Sequence, residues 1–142
     1  MFLLSVNWPA IVLAAVAAFI FGGIYYTALS KPWLAAQGKT MAQCKAEQAG
    51  KSGLAKAAPF ILAFVGELIM AWALYGILVH MNLFTLRAGI ISGALIWFGF
   101  VLTTVTINNA FGGRKAMLTF IDGAAWLGAL LIIGAIVGWM GR

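Results

Sequence analysis

The sequence predicts an all-α integral membrane protein: one four-helix bundle over residues 1–142, with a short interfacial helix in its first connection. Three observations predict it. Of the 142 residues, 64% are hydrophobic and 8% charged, whereas soluble domains are nearer half apolar and a quarter charged. Four segments each hold the roughly 20 apolar residues that a helix needs to cross the hydrocarbon core. The basic residues gather in two of the three connections between those segments. In lipid every backbone amide must find a partner, and helices satisfy that requirement internally.

The first span is expected at about 8–29. Its run MFLLSVNWPAIVLAAVAAFIFGG lacks the positively charged start of a signal peptide and is read as a retained helix. Pro9 suits a first helical turn. The connection at 30–57 is long and polar. Within it Thr40 and Gln43 have the spacing of a capping box, and Gly50 is a fitting stop. A short surface helix is expected there, with Trp33 and Met41 toward lipid. The second span, about 58–79, is expected to open at Pro59 as the first does at Pro9. HMNLFT is short, so the second and third spans (the third about 86–107) are expected to form an antiparallel hairpin. NNAFGGRK carries Gly112 and Gly113, a good helix stop, and the fourth span is expected at about 116–140.

Charge sets the direction. The first connection holds Lys31, Lys39, Lys45, Lys51 and Lys56; the third holds Arg114 and Lys115. These seven of nine basic residues fall on one side, against Arg87 and Arg142 on the other. Basic connections stay in the cytoplasm, so both termini are expected outside. The net charge of +6 then serves topology and anionic lipid headgroups; binding of nucleic acid is not expected.

Lipid gives helices no hydrophobic reason to associate, so small residues that admit close approach mark the packing faces. Ala10, Ala14, Ala18 and Gly22 form one stripe. Gly89 and Gly93 form a second, and Ala124 with Gly128 a third, continued by Gly134 and Gly138. Four helices make a thin bundle, and a homo-oligomer is expected.

Polar residues in the spans are the candidates for chemistry. Glu67 lies ten residues into the second span, about 15 Å deep at the helical rise. A charge there costs at least about 2.5–3.5 kcal/mol. Ala63 and Ala71 flank it one turn away on either side, which places it against a neighbouring helix. Asp122 lies near the start of the fourth span. Thr104 and Asn108 share a face at the end of the third, beside Asn109, and Tyr25 and Tyr26 close the first. Together they predict a polar pocket open to the cytoplasm: Glu67 at its bottom, Asp122, Asn108, Asn109 and Thr104 along it, Tyr25 and Tyr26 at its mouth. The competing readings are a hydrogen-bonded helix bridge for Glu67, a brace at the start of the fourth helix for Asp122, helix-end residues for the asparagines, and interfacial belts for the aromatics. Cys44 is a lone thiol. No metal-ligand spacing, cofactor motif or nucleophile–base–acid set is evident, so neither a metal nor a cofactor nor enzymatic activity is expected.

NW at Asn7 and Trp8, GGIYY at the end of the first span, GALIWFGF, NNAFGGRK and IDGAAWLGALLIIGAIVGW together resemble the bacterial membrane family labelled domain of unknown function 1761. The resemblance covers nearly the whole chain and is strongest from Gly93 to Trp139. It implies a four-helix multi-pass protein of the bacterial cytoplasmic (inner) membrane and supplies no activity. The expected function is a small oligomeric transporter or channel for a proton, cation or small solute that uses an intramembrane acid. The alternative is a structural or interaction subunit whose basic connection binds lipid or a partner.

Overall fold

The computed structural model describes residues 5–142, which form helices and short connections with no strand among them. The helices are α1 (Trp8–Ala28), α2 (Ser30–Ala36), α3 (Met41–Ala49), α4 (Gly53–Met81), α5 (Leu86–Ile96), α6 (Thr103–Phe111) and α7 (Ala116–Met140). A π-helical segment, Trp97–Leu102, joins α5 to α6, and the three run as one 26-residue span. Four helices are thus long and apolar enough to cross a membrane: α1, α4, the α5–α6 span and α7. They make an all-α bundle.

Local chemistry sets the ends. Asn7 caps α1 by accepting the Ala10 N–H at 3.1 Å, with Pro9 in the first turn. Thr40 and Gln43 make both bonds of the capping box that starts α3, and Gly50 ends it. Ser52 caps α4 and Thr85 caps α5. Gly112 ends α6, and Gly113 takes a left-handed φ of 64° in the turn to α7.

α7 is the central helix. Leu130, Ile133 and Val137 are its fully buried side chains, and it packs against α1, α4 and α5. Ile11, Ala14 and Ala18 of α1 and Ala71, Leu74 and Leu78 of α4 complete the core. Most large apolar side chains of the outer faces stay exposed, among them Ile20, Phe60, Leu95 and Phe120, as suits helices solvated by lipid.

Five expectations change. α4 begins at Gly53 and not near 58, so Pro59 lies inside it. A proline there removes only the bond to Ala55, a loss that helices near a membrane boundary tolerate. The 30–57 connection contains two helices and the start of α4, and its lysines sit largely on helices. Trp33 belongs to α2 and turns inward, while Met41 borders a groove. α4 and α5 are joined by a short turn at Asn82 but scarcely pack together, because α5 lies along α7. The third span also continues to Phe111, which draws Asn108 and Asn109 into helix.

The end of the bundle that carries Asn7 and Arg142 has its own polar tie. The Asn7 side-chain amide donates to the Met140 carbonyl at 2.6 Å, satisfying one of the orphan carbonyls that every helix end leaves. The Tyr75 hydroxyl accepts the Asn7 N–H at 3.2 Å and donates to the Ser5 carbonyl at 3.4 Å.

Candidate functional site: an acid at the floor of an apolar groove

Glu67 is the central residue of α4, with 14 helical residues before it and 14 after. Ala71, one turn on, is fully buried, and Ala63, one turn back, is half-buried. The Glu67 side chain is only 5% exposed. Its Oε2 is enclosed and has no hydrogen-bond partner among the described residues. Buried polar groups are nearly always paired, and an orphaned one calls for an explanation.

The explanation begins with the space in front of it. A groove of about 670 Å³ runs between α1, α4 and α7 toward the end that carries α2 and α3, and Glu67 borders it. Gly22 and Gly23 of α1 face this space. A Cβ added at Gly22 would have Glu67 Oε1 as its nearest neighbour, 4.0 Å away, and one added at Gly23 would meet nothing. The small residues here therefore leave room. Phe19, Phe60 and Trp126 give the groove aromatic walls, Tyr26 and Trp33 stand toward its mouth, and Met41 and Cys44 of α3 border it from the connection.

Asp122 does different work. Its Oδ1 accepts the Tyr26 hydroxyl at 2.8 Å and the Trp33 indole N–H at 3.1 Å. The Tyr25 hydroxyl donates to the adjacent Ile121 carbonyl at 2.8 Å. The rings of Tyr26 and Trp33 meet edge-on, 5.6 Å apart, over a small apolar cluster of Ala36, Leu118 and Ile121. Asp122 thus ties α1 and α2 to α7, and the three aromatics are interhelical donors as well as boundary residues. An intramolecular hydrogen bond is worth about 0.5–1.5 kcal/mol net.

The expected single pocket is divided. Tyr26 borders the groove and carries Asp122 behind it. Thr104 and Asn108 are exposed on α6, away from Glu67, and Asn109 donates to the Thr119 hydroxyl at 3.1 Å. α6 instead borders a second groove of about 620 Å³ on the opposite flank of α7, with Trp97, Thr106, Arg114 and Ala124 among its walls. The Trp97 indole donates to the Gly123 carbonyl at 2.7 Å there.

The small-residue faces are equally mixed. Ala10, Ala14 and Ala18 are buried, and Gly22 fronts the groove. Gly89 lies against Gly134 and Gly138, and Gly93 against the Leu130 carbonyl, so closely that a Cβ at any of the four glycines would collide with backbone. Gly128 is covered by the Phe21 ring. Ala124 is exposed and is a correction to the expected packing face. Lys31, Lys39, Lys45, Lys51, Lys56, Arg114 and Lys115 are all exposed at the end of the bundle opposite the termini, and Lys39 pairs with Glu47 at 3.0 Å. Among the described residues no group of three or more His, Cys, Asp or Glu side chains is placed to hold a metal. Sequence reasoning missed Tyr75 and the capping role of Asn7. A tyrosine in the last two turns of an otherwise apolar helix was the available signal.

The family model described as protein of unknown function (DUF1761) matches residues 9–138. The chain belongs to that family, a family with no assigned activity. No curated protein and no solved structure matches it.

Proposed function

We propose that the protein is a small carrier of the bacterial cytoplasmic membrane in which Glu67 alternately holds a proton and a cationic solute. One observation carries this reading: Glu67, a buried acid whose enclosed Oε2 has no partner among the described residues, borders an open groove in the middle of a membrane-spanning helix. A lone carboxylate deep in a bilayer is costly, and either a proton or a bound cation removes the cost. Intramembrane acids in this condition mark ion and proton paths. Asp122 holds the mouth together and does not carry the solute. The seven basic residues at the α2–α3 end favour a cytoplasmic position for it by the positive-inside rule, with α3 against anionic headgroups. The exposed flanks of the α5–α6 span leave room for a second copy of the chain.

The test is a proton-flux measurement in liposomes holding the purified protein, driven in turn by gradients of inorganic and organic cations, with Glu67→Gln as the comparison. Gln keeps the shape and loses the exchangeable proton. Flux that requires Glu67, with unchanged assembly in the variant, supports the carrier. Equal flux through both proteins sinks it. An interaction-only subunit would show no flux in either protein.

A further inference from the structure

We propose that the solute recognised by the Glu67 groove is a lipophilic organic cation, an apolar aromatic or alkyl body carrying one positive charge, and not an inorganic ion. The inference rests on the carrier reading above and adds the chemical class of its solute.

Three features of the groove point to it. The first is charge complementarity: Glu67 borders the open space, its Oε1 lies toward the groove-lining Gly22, and its enclosed Oε2 has no partner among the described residues. The second is the wall. Phe19, Tyr26, Trp33, Phe60 and Trp126 supply five aromatic rings, and ring faces attract a desolvated cation while their area buries an apolar body. The third is size. At about 670 Å³ the groove falls within the range of sites for drug-sized ligands, about 300–1,000 Å³, and far exceeds what a bare ion fills.

The same wall argues against a metal cation. Hard cations are held by about six to eight oxygen ligands. The groove offers side-chain oxygens from Glu67, Tyr26, Thr27 and Ser30 only. The Tyr26 and Thr27 hydroxyls donate to Asp122 and to the Gly23 carbonyl and keep their lone pairs, but even with them the side-chain oxygens fall short of about six. An inorganic ion would lose its water and find too few replacements. An organic cation needs no such shell: one carboxylate neutralises it and the rings solvate the rest.

Binding and protonation then compete at one group. The other titratable side chains around the groove are Tyr26 on α1, Cys44 on α3, and Asp122 on α7 behind Tyr26. Entry of the cation releases the Glu67 proton, so binding weakens as the pH falls, and one proton appears in solution per cation bound.

The experiment uses the full chain in lipid nanodiscs and radiolabelled tetraphenylphosphonium, whose charge is permanent. Neutral triphenylphosphine oxide and sodium chloride are the competitors. The expected result is saturable binding, at least tenfold weaker in Glu67→Gln, insensitive to sodium and poorly displaced by the neutral analogue. Cys44, the chain's single cysteine, borders the groove, so bound cation should slow its alkylation by N-ethylmaleimide. Gly23→Leu fills the space from α1, where a Cβ meets nothing within 4 Å, and should also abolish binding in a folded protein. Equal binding by Glu67→Gln, or equal competition by the neutral analogue, overturns the proposal and marks the groove as a seat for a lipid chain. Displacement by sodium overturns it in favour of an inorganic ion. No binding together with Glu67-dependent proton flux removes this solute class and leaves the carrier standing. No binding and no flux removes both.

Discussion

On the α5 flank of α7, Gly89 and Gly93 press backbone against Gly134, Gly138 and the Leu130 carbonyl, so that no Cβ fits between the helices. On the α1–α4 flank, Gly22, Gly23 and Ala63 are just as small, yet they stand back from one another and front an open groove. The same residue class thus makes a seam on one side and a space on the other. Small side chains permit close approach but do not compel it. α1 and α4 do pack on α7 through Ala14, Ala18, Ala71 and Leu74, and the groove opens beside that core where Glu67, Phe19 and Trp126 line it.

One substitution type breaks the comparison most directly. Gly134→Ala pushes a methyl group into the Gly89 backbone, which cannot turn aside as a side chain would. It should destabilise the bundle by about 1–3 kcal/mol, the usual cost of overpacking. Gly23→Ala adds the same methyl to empty space and removes a helical glycine, so it should stabilise by up to about 1 kcal/mol. Thermal unfolding in detergent measures both. Matching signs for the two variants would mean that the flanks do not differ.

Asp122 is the next lever, because it holds the mouth of the groove and not its floor. Asp122→Ala leaves the Tyr26 hydroxyl and the Trp33 indole without their acceptor, at a cost of about 1–3 kcal/mol. Hydrogen exchange should speed up in α2 while the Leu130–Val137 part of α7 stays protected. Asp122→Asn keeps an acceptor and should lose less. Uniform loosening of the whole bundle would contradict a local tie.

The four spans were legible because length and apolar content suffice for them. The 116–140 segment read from the sequence is α7 itself. The start of α4 was not, because a proline signals a first turn far more often than a position deeper in a helix. The candidate site was half legible. Glu67 stands out as the single acid in a long apolar run, and its alanine neighbours do lie with it on the inner face. The grouping of Thr104 and Asn108 with Glu67 failed for a physical reason. They were grouped because they lie toward the same end of the bundle, but the span that carries them packs along α7 and scarcely meets α4. A shared depth therefore did not become a shared face. Tyr75 was missed because nothing in a single helix reveals that its hydroxyl meets Ser5 and Asn7.

Tyr75→Phe probes that terminal tie at smaller expected cost. It removes the acceptor for the Asn7 N–H and the donor to Ser5 while keeping the ring against Phe84, 5.4 Å away. The loss should be about 0.5–1.5 kcal/mol, with the Glu67 groove and its ligand binding unaffected. Weakened binding in this variant would show that the two ends of the bundle are coupled.

Glu67→Leu should change stability least, and its sign is the most informative of all. If Glu67 were interhelical glue, an apolar replacement would break a buried hydrogen bond and lower stability by about 1–3 kcal/mol. Among the described residues its Oε2 has no partner to lose. Replacing an under-satisfied buried polar group by an apolar one of similar shape is nearly neutral or stabilising, so Glu67→Leu should match or slightly exceed the wild type on thermal unfolding. A residue that the bundle folds as well without, yet retains at the centre of a 29-residue apolar helix, is held there for something other than the fold. A lowered melting temperature in Glu67→Leu would reverse that reasoning and return the acid to a structural role.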